Sequence, residues 1–147
     1  MGRLDRKGPP GPTDPEAGIY QGRSIARRFV SPDGMTVLVG KTAEDNDALS
    51  LRLGSPRDFW LHVAQDSGSH VVIRNPEGLS RPPKETLQFA AALAAGYSKA
   101  RGGGRVAVHW TTCEEVSKPR GLPAGKVQLG RFETVHAAPS RGEGGGD

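Results

Sequence analysis

The sequence predicts an α+β fold, a mostly antiparallel or mixed β-sheet with one long α-helix packed on it. Three observations lead there: runs that alternate apolar and polar residues lie on both sides of a single long stretch with helical spacing, and Gly, Pro and Asp turn signals separate them. At 147 residues the chain has room for one core, whereas two comfortable domains would take roughly 100 to 150 residues each. Residues 1–18 and 140–147 are Gly, Pro and charge with little to bury, so both are expected as disordered tails around one folded unit at 19–139.

The folded part opens with SIARRFV (24–30) and MTVLVGK (35–41), which flank Ser-Pro-Asp-Gly. Pro32 presets the first turn angle and Gly34 tolerates positive φ, so a β-hairpin is predicted. In TAEDNDALSLRLGSP (42–56), Leu49, Leu51 and Leu53 alternate as in a strand, yet Asp45 or Asn46 can cap a helical turn across DALSLRL. Both readings stand. DFWLHV (58–63) and SHVVIR (69–74) are two further strands around a polar turn at 65–69. If Phe59, Leu61, Val63, Val71 and Ile73 share the buried side, then Trp60, His62, His70 and Arg74 gather on the opposite one.

Pro82 and Pro83 can open the helix that follows, KETLQFAAALAAGYSKAR at 84–101. Leu87, Ala90, Ala91, Ala94 and Ser98 follow helical spacing beside a row of Phe89, Leu93 and Tyr97. Lys99 and Arg101 are expected in its last turn, where cations complement the dipole, and glycines 102–104 end it. RVAVHWTT (105–112) then alternates as a half-buried strand. The remainder supplies a basic loop, Lys118-Pro119-Arg120-Gly121, and a last hairpin expected around Gly130.

Within 19–139 stand 16 of the 20 Lys and Arg but 11 of the 16 acids, an excess of five positive charges; with a pI near 9.6 it suits an anionic partner. Cys113 is the one cysteine, so no intrachain disulfide can form and a reducing compartment is expected. No run approaches the roughly 18 apolar residues of a membrane span, and the N-terminus lacks the apolar segment of a signal peptide. A cytoplasmic protein without a membrane segment is expected.

Several stretches, in this order and spacing, resemble the NFACT-R domain, the RNA-binding domain of NFACT proteins: SPDGMTVLVGKTAEDNDALSLRL, DFWLHVAQDSGSHVVIR, ETLQFAAALAAGYSKAR, EVSKPRGLPAGKV and RFETV. The likeness covers roughly 25–136. It implies a stand-alone RNA-binding domain for tRNA, ribosomal RNA or the large ribosomal subunit, in translation or ribosome-associated quality control. It implies no enzyme activity and no DNA partner; nothing points to a cofactor. Positions matching the family pattern include Asn46, Asp47, Trp60, His62, Gly68, Ser69, His70, Ser98, Lys99, Arg101, Lys118, Pro119 and Gly121. Lys41 and Thr42 depart from it, standing where relatives often have Arg-Asn.

The expected RNA-binding residues are therefore Trp60, His62, His70, Arg74, Lys99, Arg101, Lys118 and Arg120. An aromatic gives a base a stacking platform, and imidazole or guanidinium donates to phosphate. The competing reading packs Trp60 over the sheet and satisfies both histidines internally. A metal site at His62, His70 and His109 lacks closely spaced Cys partners, so no metal is expected. Neither Cys113 nor Ser69 lies in a nucleophile elbow. GGGR (102–105) follows a helix instead of opening one, so it reads as a helix stop and not a phosphate cradle. Two further functions are weighed: an adaptor docking on a ribosome-associated factor, and an RNA-processing enzyme using His62 and His70 as acid and base.

Overall fold

A computed structural model describes residues 9–142. Six antiparallel strands form the main sheet in the order β10-β7-β5-β6-β4-β3: β3 (Ala26–Val30), β4 (Thr36–Gly40), β5 (Phe59–Val63), β6 (Val71–Ile73), β7 (Val106–Thr112) and β10 (Glu133–Ala137). Two short ribbons flank it, β1 (Ile19–Tyr20) with β2 (Arg23–Ser24), and β8 (Val116–Ser117) with β9 (Gln128–Leu129). The fold is α+β, with two helical segments against the sheet: α1 (Ala43–Ala48), continuing as a π turn at Leu49–Leu53, and α2 (Lys84–Gly96).

Strand alternation builds two cores from one sheet. Phe59, Leu61, Val63, Val71 and Ile73 point to α2, where Ala90, Ala91 and Ala94 let the helix lie close. Their neighbours Trp60 and Val72 point the other way, onto Leu49, Leu53, Ile25 and Leu38. Burying each large apolar side chain contributes roughly 1.5–3 kcal/mol. Both faces are thus covered, and the surface expected behind Trp60 is roofed by the helical segment at 43–53.

The hairpin at 26–40 forms as predicted, with Gly34 at φ 86° in its turn. Asp33 in that turn also serves α2: its carboxylate accepts from the Thr86 N–H at 3.1 Å and from the Thr86 hydroxyl at 2.8 Å. That satisfies a first-turn donor that no side chain of α2 itself caps.

Three expectations are corrected. Helix α2 stops at Gly96, not at Arg101, because Ser98 opens a separate 3-10 turn (Lys99–Gly102), its hydroxyl donating to Ala95 O and accepting from Ala100 N–H. Lys99 and Arg101 therefore leave the helix axis. The ambiguous segment is helical, and its cap is Thr42, whose Oγ1 accepts from Asp45 N–H at 3.0 Å. Asp45 and Asn46 lie inside it. Gly130 does not centre a hairpin: β9 pairs with β8 while β10 pairs with β7, and Glu115 turns the link by accepting from the N–H groups of Gly130 and Arg131. Described residues on either side of 19–139 also contact the folded unit. Pro15–Ala17 forms a 3-10 turn, Ser140 N–H donates to Ala92 O, and Arg141 Nε donates to Gly96 O. Residues 1–8 and 143–147 of the expected tails lie outside the described residues.

Candidate functional site

At one end of the β5–β6 ribbon lies an open cleft of about 800 Å³, lined by His62, the 65–68 turn, His109, Phe132 and the 124–127 loop. Its floor is a row of rings. Trp60 packs against His62 (6.0 Å between centroids) and His70 (5.1 Å), and His62 lies 5.4 Å from His70. The register sets His62 opposite His109 on β7, and His109 stacks on Phe132 at 4.2 Å.

The alternation in DFWLHV and SHVVIR does gather Trp60, His62, His70 and Arg74 on one face, but not as a common surface. Trp60 is 1% exposed, its Nε1 donating to Ser50 Oγ at 2.8 Å. Trp60 packs inside the second core, so a base reaching its face would have to displace that core. His70 is equally buried. Its Nδ1 meets Ser50 Oγ at 2.7 Å and its Nε2 meets Gly125 O at 3.0 Å. A carbonyl only accepts, so Nε2 carries the proton; Ser50, accepting from Trp60, donates to Nδ1. Both nitrogens are occupied by protein, and burial pushes the His70 pKa down to about 4.

Arg74 is drawn to the other end of the face. Its Nε donates to Glu16 Oε2 at 3.1 Å and its Nη1 pairs with Asp58, a carboxylate that also accepts from Ser55 and Asn75 N–H. At 12% side-chain exposure, Arg74 is held within the fold by two carboxylates. Lys118 is likewise engaged: Nζ lies 3.1 Å from Asp47 and donates to the carbonyls of Lys126 and Pro123, pinning the basic loop.

Lys99, Arg101 and Arg120 are exposed, and among the described residues none of them forms an ion pair. Lys99 N–H donates to Ser67 O at 2.8 Å, which sets the 3-10 turn on one rim of the cleft; exposed Lys126 lines the opposite rim. Gly68 makes that junction possible. A Cβ there would lie 2.6 Å from Ser98 Cβ. His62 is half-buried; burial, then the charge of Lys126, hold its pKa below the ordinary value against opposing backbone bonds, and burial lowers His109 too. The cleft floor is therefore uncharged at neutral pH and its cations sit on the rim.

Sequence reasoning weighed His109 only as a metal ligand and passed over Phe132 as a cleft residue. The clue for Phe132 was local: an aromatic directly after Gly130-Arg131, where the chain must turn. Burial also pushes the Cys113 thiol up to about 12, leaving it protonated and inert. Among the described residues no group of three or more His, Cys, Asp or Glu could hold a metal, and no helix is long and apolar enough to cross a membrane.

The class of protein follows from fold and sequence together: residues 26–131 match the NFACT protein RNA binding domain, and the chain belongs to that family. Particular relatives carry the match further. The Rqc2 homolog RqcH of Bacillus subtilis is 37% identical over 115 residues, covering 78% of this chain and 20% of the relative. The ribosome quality control complex subunit NEMF homolog of Drosophila melanogaster is 35% identical over 91 residues, covering 61% of this chain and 9% of the relative. A solved structure, the C-terminal part of the fibronectin/fibrinogen-binding protein from Streptococcus suis, superposes with a TM-score of 0.74 at 33% identity, covering 80% of this chain and 47% of that one. The chain thus spans about a fifth or less of the length of these curated relatives.

Proposed function

We propose that this chain binds RNA without performing chemistry on it, taking tRNA, ribosomal RNA or the large ribosomal subunit as partner in a ribosome-associated setting. The family's RNA-binding description and the ribosome quality control names of its relatives support the partner class. The observation that carries the interface is a ring-lined cleft with exposed Lys126 in its lining and exposed Lys99 bonded to the Ser67 carbonyl of its turn, with Arg101 in the same 3-10 turn as Lys99 and Arg120 in the basic loop. Exposed cations without an internal carboxylate partner are available to phosphate, whereas Arg74 and Lys118 hold the scaffold. The occupied nitrogens of His70 weigh against a nuclease pair with His62.

Titration of tRNA separates these roles. Lys126→Ala is expected to weaken binding several-fold across unrelated RNA sequences with little change in melting temperature. Lys118→Ala is expected to lower the melting temperature first, through loss of the Asp47 contact and the loop carbonyl bonds. Unchanged tRNA affinity in Lys126→Ala would remove the proposed interface.

A further inference from the structure

Phe132 is the one aromatic among the large exposed apolar residues of the described chain, at 46% exposure. A single exposed phenylalanine is ordinary, but this one is held in place. Glu115 accepts from the N–H groups of Gly130 and Arg131, and Thr111 Oγ1 donates to Arg131 O at 2.6 Å. The backbone entering Phe132 is clamped on both of its polar groups, and the ring is seated on His109 at a 36° tilt. What is presented to solvent is a fixed π surface at the mouth of the cleft.

The cleft divides by chemistry. Its floor offers uncharged rings, its turn contributes the Gln65 amide and the Asp66 carboxylate, and its positive charge is on the rim with Lys126 and Lys99. Phosphate on the floor would meet no cation and would face Asp66. A nucleobase at the mouth would find a stacking face on Phe132 and polar groups of the turn for its edge, while its own phosphate reached the rim. A volume near 800 Å³ lies within the roughly 300–1,000 Å³ of sites that enclose small ligands. Bases within a duplex are stacked on one another and cannot enter.

We infer that the cleft takes one unpaired nucleotide, its base on Phe132, which His109 backs, and its phosphate at Lys126. The ligand class is thus an RNA end, overhang or bulge, not a continuous helix. This rests on the RNA-binding reading and narrows it.

The test compares three RNAs by fluorescence anisotropy at one salt concentration: a blunt duplex, the same duplex with a short 3′ overhang, and that overhang with abasic sugars. The intact overhang should bind about tenfold tighter than the blunt duplex, the scale of one stacked base, and the abasic overhang should lose most of that gain while keeping its phosphates. Phe132→Ala should bring the intact-to-abasic ratio to about one, Phe132→Trp should preserve it, and Lys99→Ala should weaken all three RNAs together. Equal binding of intact and abasic overhangs, or a ratio unmoved in Phe132→Ala, overturns the cleft assignment while leaving RNA binding standing. If none of the three RNAs binds, the RNA-binding reading falls and the cleft assignment with it.

Discussion

The residue that organises the second core is Ser50. Its one oxygen accepts from Trp60 and donates to His70, which in turn donates to Gly125 O, so three sequence-distant segments meet in an unbroken relay. The relay works only with His70 neutral. Its pKa of about 4 in the fold lies below the ordinary 6.5, so the unfolded chain binds the proton first and stability falls as pH drops from about 6.5 toward 4. The shift corresponds to an order of 3 kcal/mol, and the lowered pKa of His62 acts in the same direction. Urea midpoints measured between pH 7 and 4 should show a steeper acid loss in the parent than in His70→Gln, even though that variant starts lower at pH 7. Parallel curves for the two would refute the neutral relay. None of this was legible beforehand: alternation put Trp60, His62 and His70 on one side, but nothing in the local pattern of Leu49, Leu51 and Leu53 announced that Ser50 would arrive on top of them.

At the scale of elements, the strands were readable because each carries its own two-residue period, and the registers at β3–β4 and β5–β6 follow from it. The segment at 43–53 was not. Its alternating leucines mimic a strand, and the π turn, where Gly54 N–H reaches back to Leu49 O, lets Leu49 and Leu53 both be buried. The end of α2 was misread for a related reason: Ala95 to Arg101 suits a helix, but the turn at 65–68 docks on it, with Ser69 N–H donating to Tyr97 O and Lys99 N–H to Ser67 O. That docking needs Gly68, since an added Cβ would also stand 3.2 Å from Tyr97 O. Gly68→Ala is expected to cost about 1–3 kcal/mol by overpacking and to weaken RNA binding, because it displaces the rim that carries Lys99. A variant with parent-like melting and parent-like affinity would show the junction to be adjustable.

For the molecule as a whole, the excess of positive charge was readable from composition, but its usefulness was not, since two of the five Lys and Arg chosen from sequence are paired within the fold. Arg74 and Lys118 are held by Glu16, Asp58 and Asp47, contacts between segments far apart in the chain. Lys99, Arg101 and Arg120 are exposed and form no ion pair among the described residues, and exposed Lys126 lines the cleft. The distinction matters for any polyanion, because each phosphate neutralised releases counterions and steepens the salt dependence. The most direct measurement is therefore the slope of log affinity for tRNA against log salt concentration, for the parent and for a Lys99→Ala/Arg101→Ala double variant. The account predicts weakening with rising salt in the parent and a slope shallower by about 1.5 in the variant, near 0.7–0.9 per lost contact. Affinity that ignores salt, or an identical slope in both proteins, would contradict it.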